Sequence, residues 1–294
     1  MTAGIVNVLK PPGMTSHDVV SFLRRVYGLK KVGHAGTLDP AAAGVLPVFL
    51  GQATRLIEFA ADADKNYRVE LTFGYATDSG DESGAVIAAC PDFVMPAEAD
   101  IAAVLASFRG ESTQVPPMHS AIKVGGRKLY ELARAGIEVD RAPRAVVITA
   151  LELLLVAAPL ILFDVTCSKG TYIRSLCVDI GERLGLPAVM SFLVRTRVGD
   201  FTLESAKALE EVAAAPDTAL LPGDYAVRHL PRVVLDGQEA ARFGHGQAIG
   251  RHGHGGPGPV AVYGPEGDLL GIARLLADAP LLAPVKVLGP GPEN

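Results

Sequence analysis

Between Gly33 and Gly44 the chain reads Gly-His-Ala-Gly-Thr-Leu-Asp-Pro-Ala-Ala-Ala-Gly, which places one carboxylate, Asp39, in a loop punctuated by three glycines. Glycine allows positive φ and a close approach of backbone to ligand, while Pro40 fixes its own φ and biases Asp39 toward an extended conformation. A carboxylate displayed on such a turn can be aimed at a substrate as a nucleophile. The tripeptide Leu-Asp-Pro fits equally an Asx-type turn, in which the side chain bonds only nearby backbone.

Five further segments hold residues able to do chemistry: Lys10-Pro11-Pro12-Gly13-Met14-Thr15-Ser16, Lys65-Asn66-Tyr67-Arg68-Val69, Val115-Pro116-Pro117-Met118-His119-Ser120-Ala121-Ile122-Lys123, Cys167-Ser168-Lys169-Gly170-Thr171-Tyr172-Ile173-Arg174, and Leu193-Val194-Arg195-Thr196-Arg197-Val198-Gly199. Taken one by one they have ordinary readings as well. Tyr67 belongs to an alternating apolar face, Tyr172 could pack in a core, and Arg174 could sit in the first turn of a helix with its head in water. In order and spacing, however, these segments and the Asp39 loop together resemble the bacterial tRNA pseudouridine-55 synthases, the TruB family, over roughly residues 1 to 200.

That resemblance implies a reaction in which the glycosidic bond of a uridine breaks, the freed uracil rotates, and C5 of the base joins C1′ of the ribose. No metal or redox cofactor takes part. It implies Asp39 as the nucleophile, Arg174 as the guanidinium that keeps it ionised, and Tyr67 as the ring that stacks on the target base. An aspartate with an ordinary pKa of about 3.9 would be pushed up by burial in a base pocket, and a nearby cation counters this. Extruding a base costs a few kcal/mol and stacking on an aromatic ring returns roughly 1 to 3 kcal/mol. By the same resemblance Tyr172 lines the pocket, His34 works against the extruded nucleotides, and Leu193, Lys10 and Arg195 lie near the pocket or the RNA backbone. The expected partner is the T arm and loop of tRNA, with uridine 55 as the target and no obligate protein partner.

Residues 113–139, rich in glycine, proline and bases, match the family's RNA-clasping insertion through Lys123, Arg127, Lys128 and Arg134. One departure is His119, which stands where family members often carry a tyrosine, so a stacking contribution there is not implied. Two other readings share these residues: a guide-RNA-dependent pseudouridine synthase, and a non-catalytic tRNA-binding or tRNA-folding protein. The long insertion and short C-terminal segment favour the stand-alone enzyme over the first, and the full set Asp39, Tyr67, Tyr172 and Arg174 argues against the second.

Composition sets the frame for this chemistry. At 294 residues, 49% hydrophobic and 20% charged, the chain can bury a large core and exceeds what one core usually supports. The three cysteines, Cys90, Cys167 and Cys177, are an odd number without metal-ligand spacing, which points to free thiols in a reducing cytoplasm. No signal peptide is expected, and the longest apolar stretch, Leu151 to Val165, is interrupted by Glu152, Pro159 and Asp164, short of the roughly 20 apolar residues of a membrane helix. A net charge of −5 is unusual for a protein that meets a polyanion. The charge is segregated: residues 1–75 carry 8 basic and 6 acidic side chains and residues 107–149 carry 7 and 4, whereas residues 76–106 carry 6 acids and no base. His245, His252 and His254 sit in a glycine-rich stretch without regular spacing, which reads as a surface loop rather than a metal site.

The elements that must position these residues are legible in outline. Thr15-Ser16-His17-Asp18 resembles a capping box ahead of an apolar stripe that stops at Gly28. Gly44 to Leu50 reads as a buried strand, Gln52 to Ala61 as a helix, and Tyr67 to Tyr75 as an alternating strand. A helix over 99–109, strands over Val146 to Val156 and Leu160 to Cys167, and a helix over Thr171 to Leu184 follow. Antiparallel strand pairs without regular βαβ units make the fold class α+β. Proline, glycine and acids between Ala213 and Pro231 suggest a linker, and Val260 to Leu275 carries a hairpin signal. The expected domains are a pseudouridine synthase catalytic domain over 1–228, with a mixed, largely antiparallel sheet flanked by helices, and a small β-rich, PUA-like RNA-binding domain over 229–294. A monomer is expected.

Overall fold

The computed structural model describes residues 3–288 except 121, 251, 254, 255, 257, 277 and 278, and leaves the Arg134 side chain undescribed. The expectations for His254 and for the Arg134 charge therefore fall outside the described residues. The architecture is α+β. A ten-stranded sheet runs in the order Leu220–Leu221, Gly4–Lys10, Ala43–Leu50, Ala188–Val198, Lys65–Phe73, Leu160–Cys167, Arg144–Ala157, Gly110–Gln114, with Val32–His34 and Phe201–Thr202 pairing to its middle strands. All neighbours are antiparallel except Ala43–Leu50 beside Ala188–Val198, where Val194 lies opposite Ala43 and Arg195 opposite Gly44. A second sheet of five short strands, Arg232–Val234, Pro259–Tyr263, Leu269–Leu275, Leu281–Val287 and Ile249–Gly250, forms the C-terminal β-rich part.

Local sequence explains most boundaries. The first helix, Ser16–Tyr27, begins with the expected capping box: Thr15 accepts from the Asp18 backbone and Asp18 accepts from the Thr15 backbone, while Gly28 ends it in the left-handed conformation at φ 64°. Three expectations change. The strand read as Tyr67 to Tyr75 ends at Phe73, because Gly74 at φ 101° breaks the ladder and sends Tyr75–Thr77 into a separate two-stranded ribbon with Val86–Ala89. The helix read over Gln52 to Ala61 is a 3-10 turn, Gly51–Leu56, running into a short α-helix, Ile57–Ala61. The proposed linker is packed rather than loose: Leu220–Leu221 pairs with the first strand and Val227 is fully buried. Pro216 and Asp217 lie in a turn and Asp224 in the 3-10 turn Gly223–Val227, while Ala219, Ala226 and Val227 are buried.

Three apolar clusters fill the larger part. One lies between the sheet and the helices Glu98–Ser107 and Ile173–Arg183, and another sits under the helix Ser16–Tyr27. The third joins Ile5 and Phe49 of the large sheet and Leu56 of the 3-10 turn to Ala261, Tyr263 and Ile272 of the small sheet. Each fully buried side chain of this size contributes roughly 1.5 to 3 kcal/mol. The exposed Lys286–Glu58 pair at 2.7 Å across the same boundary contributes at most about 1 kcal/mol, so apolar packing holds the C-terminal sheet in place. Among the described residues no helix is long and apolar enough to cross a membrane.

Gly44, at φ 116°, marks where the Asp39 loop re-enters the sheet, and a Cβ there would meet the backbone nitrogen of Arg195 at 2.7 Å and collide with its carbonyl. Backbone atoms cannot swing aside as a side chain can. Gly44→Ala is therefore expected to destabilise the fold by about 2 kcal/mol or more, read as a lowered midpoint in denaturant unfolding.

Candidate active site

Arg174 is the centre of the site. It lies in the first turn of the helix Ile173–Arg183, only 7% of its side chain is exposed, and its Nε sits 3.1 Å from Asp39 Oδ2 and 3.5 Å from Asp81 Oδ2. The remaining guanidinium nitrogens donate to two carbonyls, Nη1 to Ser79 at 3.2 Å and Nη2 to His119 at 2.7 Å. The reading of Arg174 with its head in water is thus corrected. A buried guanidinium is tolerated because two carboxylates lie beside Nε and each Nη donates to a carbonyl.

Asp39 keeps 37% of its side chain exposed and pairs with Arg174 instead of folding back on its own loop. The Asx-turn alternative is not what the structure contains. The loop is gripped from two sides. Lys10, with no exposed surface, donates Nζ to the carbonyls of Pro11 at 2.9 Å, Met14 at 2.7 Å and Pro40 at 3.2 Å. Arg195, 1% exposed, donates to Val45 at 2.8 Å, Thr37 at 3.2 Å and Gly36 at 3.1 Å. Neither residue presents its charge to solvent, and both hold the loop that carries Asp39.

Burial lowers the Lys10 pKa to about 8, with Arg195 pushing the same way and Asp39 opposing. Lys65, which donates to Ala61 and Ala63 at 2.8 and 2.6 Å, is lowered to about 8 by burial as well. His34 on the short strand Val32–His34 is held below its usual pKa, first by burial and then by Arg195, and its Nδ1 has no partner.

Tyr67 occupies the third position of Lys65–Phe73 and is 8% exposed, packed in the cluster that also holds Leu38, Ala42 and Leu193. Its phenol is raised above the ordinary value by burial, which keeps it protonated at neutral pH, with the Arg195 guanidinium opposing the rise. Leu193 is 5% exposed on the strand opposite Val69. Tyr172 is the residue before the helix, partly exposed in an extended conformation. The structure thus gathers Asp39, Arg174, Tyr67, Leu193, Lys10 and Arg195 at one end of the sheet, with Tyr172 two residues from Arg174 and His34 five residues from Asp39.

One residue absent from the sequence reading is Asp81. Its Oδ1 accepts from Ser79 Oγ at 2.8 Å, from the Ser83 backbone at 3.0 Å and from the Ser83 hydroxyl, which turns Oδ2 toward Arg174. Its stretch, Asp78-Ser79-Gly80-Asp81-Glu82-Ser83-Gly84, looks like an acidic surface turn, and only its run of small hydroxyl residues around a carboxylate could have signalled it. The histidine loop behaves as surface: His252 pairs with Glu239 at 2.9 Å and His245 contacts the Ala241 carbonyl at 2.7 Å. Among the described residues no cluster of ligands for a metal is found.

Three family profiles match the chain in succession: the TruB family pseudouridylate synthase N-terminal domain over residues 24–173, the tRNA pseudouridylate synthase B C-terminal domain over 174–230, and the pseudouridine synthase II TruB C-terminal region over 231–288. A tRNA pseudouridine synthase B from Symbiobacterium thermophilum is 54% identical over 248 residues, covering 83% of this chain and 82% of its own. One from Moorella thermoacetica is 46% identical over 309 aligned positions, covering 98% and 100%. Among solved structures, a Cbf5-Nop10-Gar1 complex matches with TM-score 0.77 at 30% identity over 98% of this chain and 85% of that one. An H/ACA RNP bound to a substrate RNA containing 2′-deoxyuridine matches with TM-score 0.75 at 28% identity, again over 98% and 85%. Agreement along nearly the whole length, in sequence and in backbone alike, means that the chain belongs to the TruB family of pseudouridylate synthases.

Proposed function

We propose that the protein isomerises uridine 55 in the T loop of tRNA to pseudouridine, with Asp39 as the nucleophile, on a base turned out of the loop. The observation that carries this reading is the half-exposed Asp39 carboxylate held 3.1 Å from a buried guanidinium, in a chain of this family. The reaction balances without a cofactor: the N1–C1′ bond breaks, the C5–C1′ bond forms, the C5 proton leaves and N1 takes one up. What the protein must supply is an ionised, aimed carboxylate and a place for the detached base.

Arg174 aims the carboxylate by pairing with it, and the Lys10 and Arg195 grips restrict where the loop can point. For the second, Tyr67 offers its ring in a cluster that it shares with Leu193, Tyr172 stands two residues from Arg174, and His34 lies on the strand that leads into the Asp39 loop. As a resting phenol, Tyr67 acts first as a stacking surface, and proton removal from C5 follows formation of the covalent adduct. Exposed Lys123 and Arg127, on the insertion that reaches Arg174 through the His119 carbonyl, meet the phosphate backbone. The names of the curated relatives support tRNA as the substrate, and the single chain acts without guide RNA or protein partners, in the cytoplasm.

Purified protein with a tRNA transcript alone, carrying tritium at uracil C5, should release the label in step with turnover. Release only after adding guide RNA would favour the guide-dependent alternative, and binding without release the non-catalytic one. Asp39→Asn is expected to cut release by at least about a thousandfold while tRNA affinity stays within about threefold.

The pKa of Lys10 sets a pH dependence. Its ammonium holds three carbonyls around the catalytic loop below about pH 8 and loses its proton above that value. The single-turnover rate should therefore fall as pH rises through about 8. Folding changes in the opposite sense: an unfolded lysine keeps its proton to 10.5, so between about 8 and 10.5 the folded state binds fewer protons and this residue's contribution to stability rises with pH. The expected result is a loss of rate without a matching loss of thermal stability, followed by stopped reactions and calorimetry across the same pH range.

A further inference from the structure

Two buried polar side chains perform the same act at two distant places. Ser16, 3% exposed, donates its Oγ to the carbonyl of Leu38 at 3.0 Å and accepts from the Leu38 N–H at 2.9 Å. Gln114, 8% exposed, accepts from the Tyr172 N–H through Oε1 at 2.9 Å and donates Nε2 to the Tyr172 carbonyl at 3.3 Å. Leu38 is the residue before Asp39, and Tyr172 stands two residues before Arg174. We propose that Ser16 and Gln114 are positioning residues that clamp the backbone beside each half of the Asp39–Arg174 pair and set the separation and direction of that pair.

The inference rests on the functional reading above, and three observations carry it. First, Ser16 has no duty to its own helix, since Thr15 and Asp18 cap the N-terminus between them. Its hydroxyl is spent entirely on a loop 22 residues away. Second, Tyr172 precedes a helix with no side-chain cap, and Gln114 binds it from a strand 58 residues earlier in the chain. Third, both clamps take the N–H and the C=O of one residue. The N–H and C=O of one residue belong to the two peptide groups that flank it, so a side chain that binds both ties down both peptides, where a single bond would leave one free to turn. Buried N–H and C=O groups need partners, but a strand or water could provide them without fixing the neighbouring catalytic side chain. Rigid supporting contacts matter here because a displacement of about 1 Å at a reacting group costs about a hundredfold in rate.

Gln114 adds a link of its own. It ends the strand Gly110–Gln114, from which the chain departs into the RNA-clasping insertion, so the root of the insertion and the start of the Arg174 helix share one side chain.

The test is single-turnover conversion of a full-length tRNA transcript by Ser16→Ala and Gln114→Ala. Each is expected to slow the chemical step roughly 10- to 100-fold, with tRNA affinity changed by less than about threefold. Ser16→Thr, which keeps the hydroxyl, should recover most of that loss, whereas Gln114→Glu, which keeps the acceptor for the Tyr172 N–H and loses the donor to its carbonyl, should stay slow. Alanine variants with unchanged rates, a loss confined to affinity, Ser16→Thr as slow as Ser16→Ala, or Gln114→Glu as fast as the parent would each overturn the proposal. Should an alanine variant not fold, the Thr and Glu variants decide: Ser16→Thr near the parent's rate with Gln114→Glu well below it supports the proposal, and any other pattern refutes it. Crystal structures of the variants read the geometry directly, since the Asp39–Arg174 distance of 3.1 Å should lengthen beyond about 4 Å in the alanine forms. That reading needs no turnover, so a parent enzyme that made no pseudouridine would remove the functional reading while the distance still judged the clamps.

Discussion

A guanidinium taken almost wholly out of water is the constraint around which the catalytic part is arranged. Burying an uncompensated charge costs several kcal/mol, and Arg174 avoids that cost only if Asp39, Asp81, the Ser79 carbonyl and the His119 carbonyl all converge on it. Those groups come from three loops distant in sequence, and the guanidinium itself comes from the start of a helix. One side chain thereby ties the Asp39 loop, the acidic turn at 78–84 and the insertion into a single arrangement. Its two carboxylates differ in use: Asp81 is turned inward by serine hydroxyls, while Asp39 keeps a face toward solvent.

Buried cations also resolve the apparent conflict between a net charge of −5 and a polyanionic substrate. Lys10, Arg174 and Arg195 lie inside the protein near Asp39, and their partners are mostly neutral carbonyls rather than acids. Screening over about 8 to 10 Å at ordinary salt means that an RNA nucleotide entering the site senses the charges near Asp39 far more than acids on distant surfaces. Position outweighs the sum.

The C-terminal sheet is part of the same mechanical unit. Tyr263 and Ile272 share a core with Ile5 and Phe49, and Arg55 donates to the Val287 carbonyl across the boundary. A surface carried on that sheet is consequently held in a fixed relation to the catalytic loop, as recognition of a rigid folded RNA by shape requires.

Much of this was legible in the order of residues. The Thr15 to Asp18 capping box, the stop at Gly28, the alternating strand around Tyr67 and the Asp39 loop are local patterns, and local patterns survive because backbone sterics and capping act within a few residues. The sequence also specified which groups could do chemistry, Asp39 and Arg174 above all. What only the tertiary structure decided was where charges ended up and who their partners were. Nothing near Arg174 in the chain marks it as buried, nothing near Asp81 marks it as the second carboxylate, and Lys10 and Arg195 look like surface bases until they are found holding carbonyls of the catalytic loop. Burial and pairing depend on segments brought together from across the chain, and a buried charge is settled by its whole surroundings rather than by its neighbours in sequence.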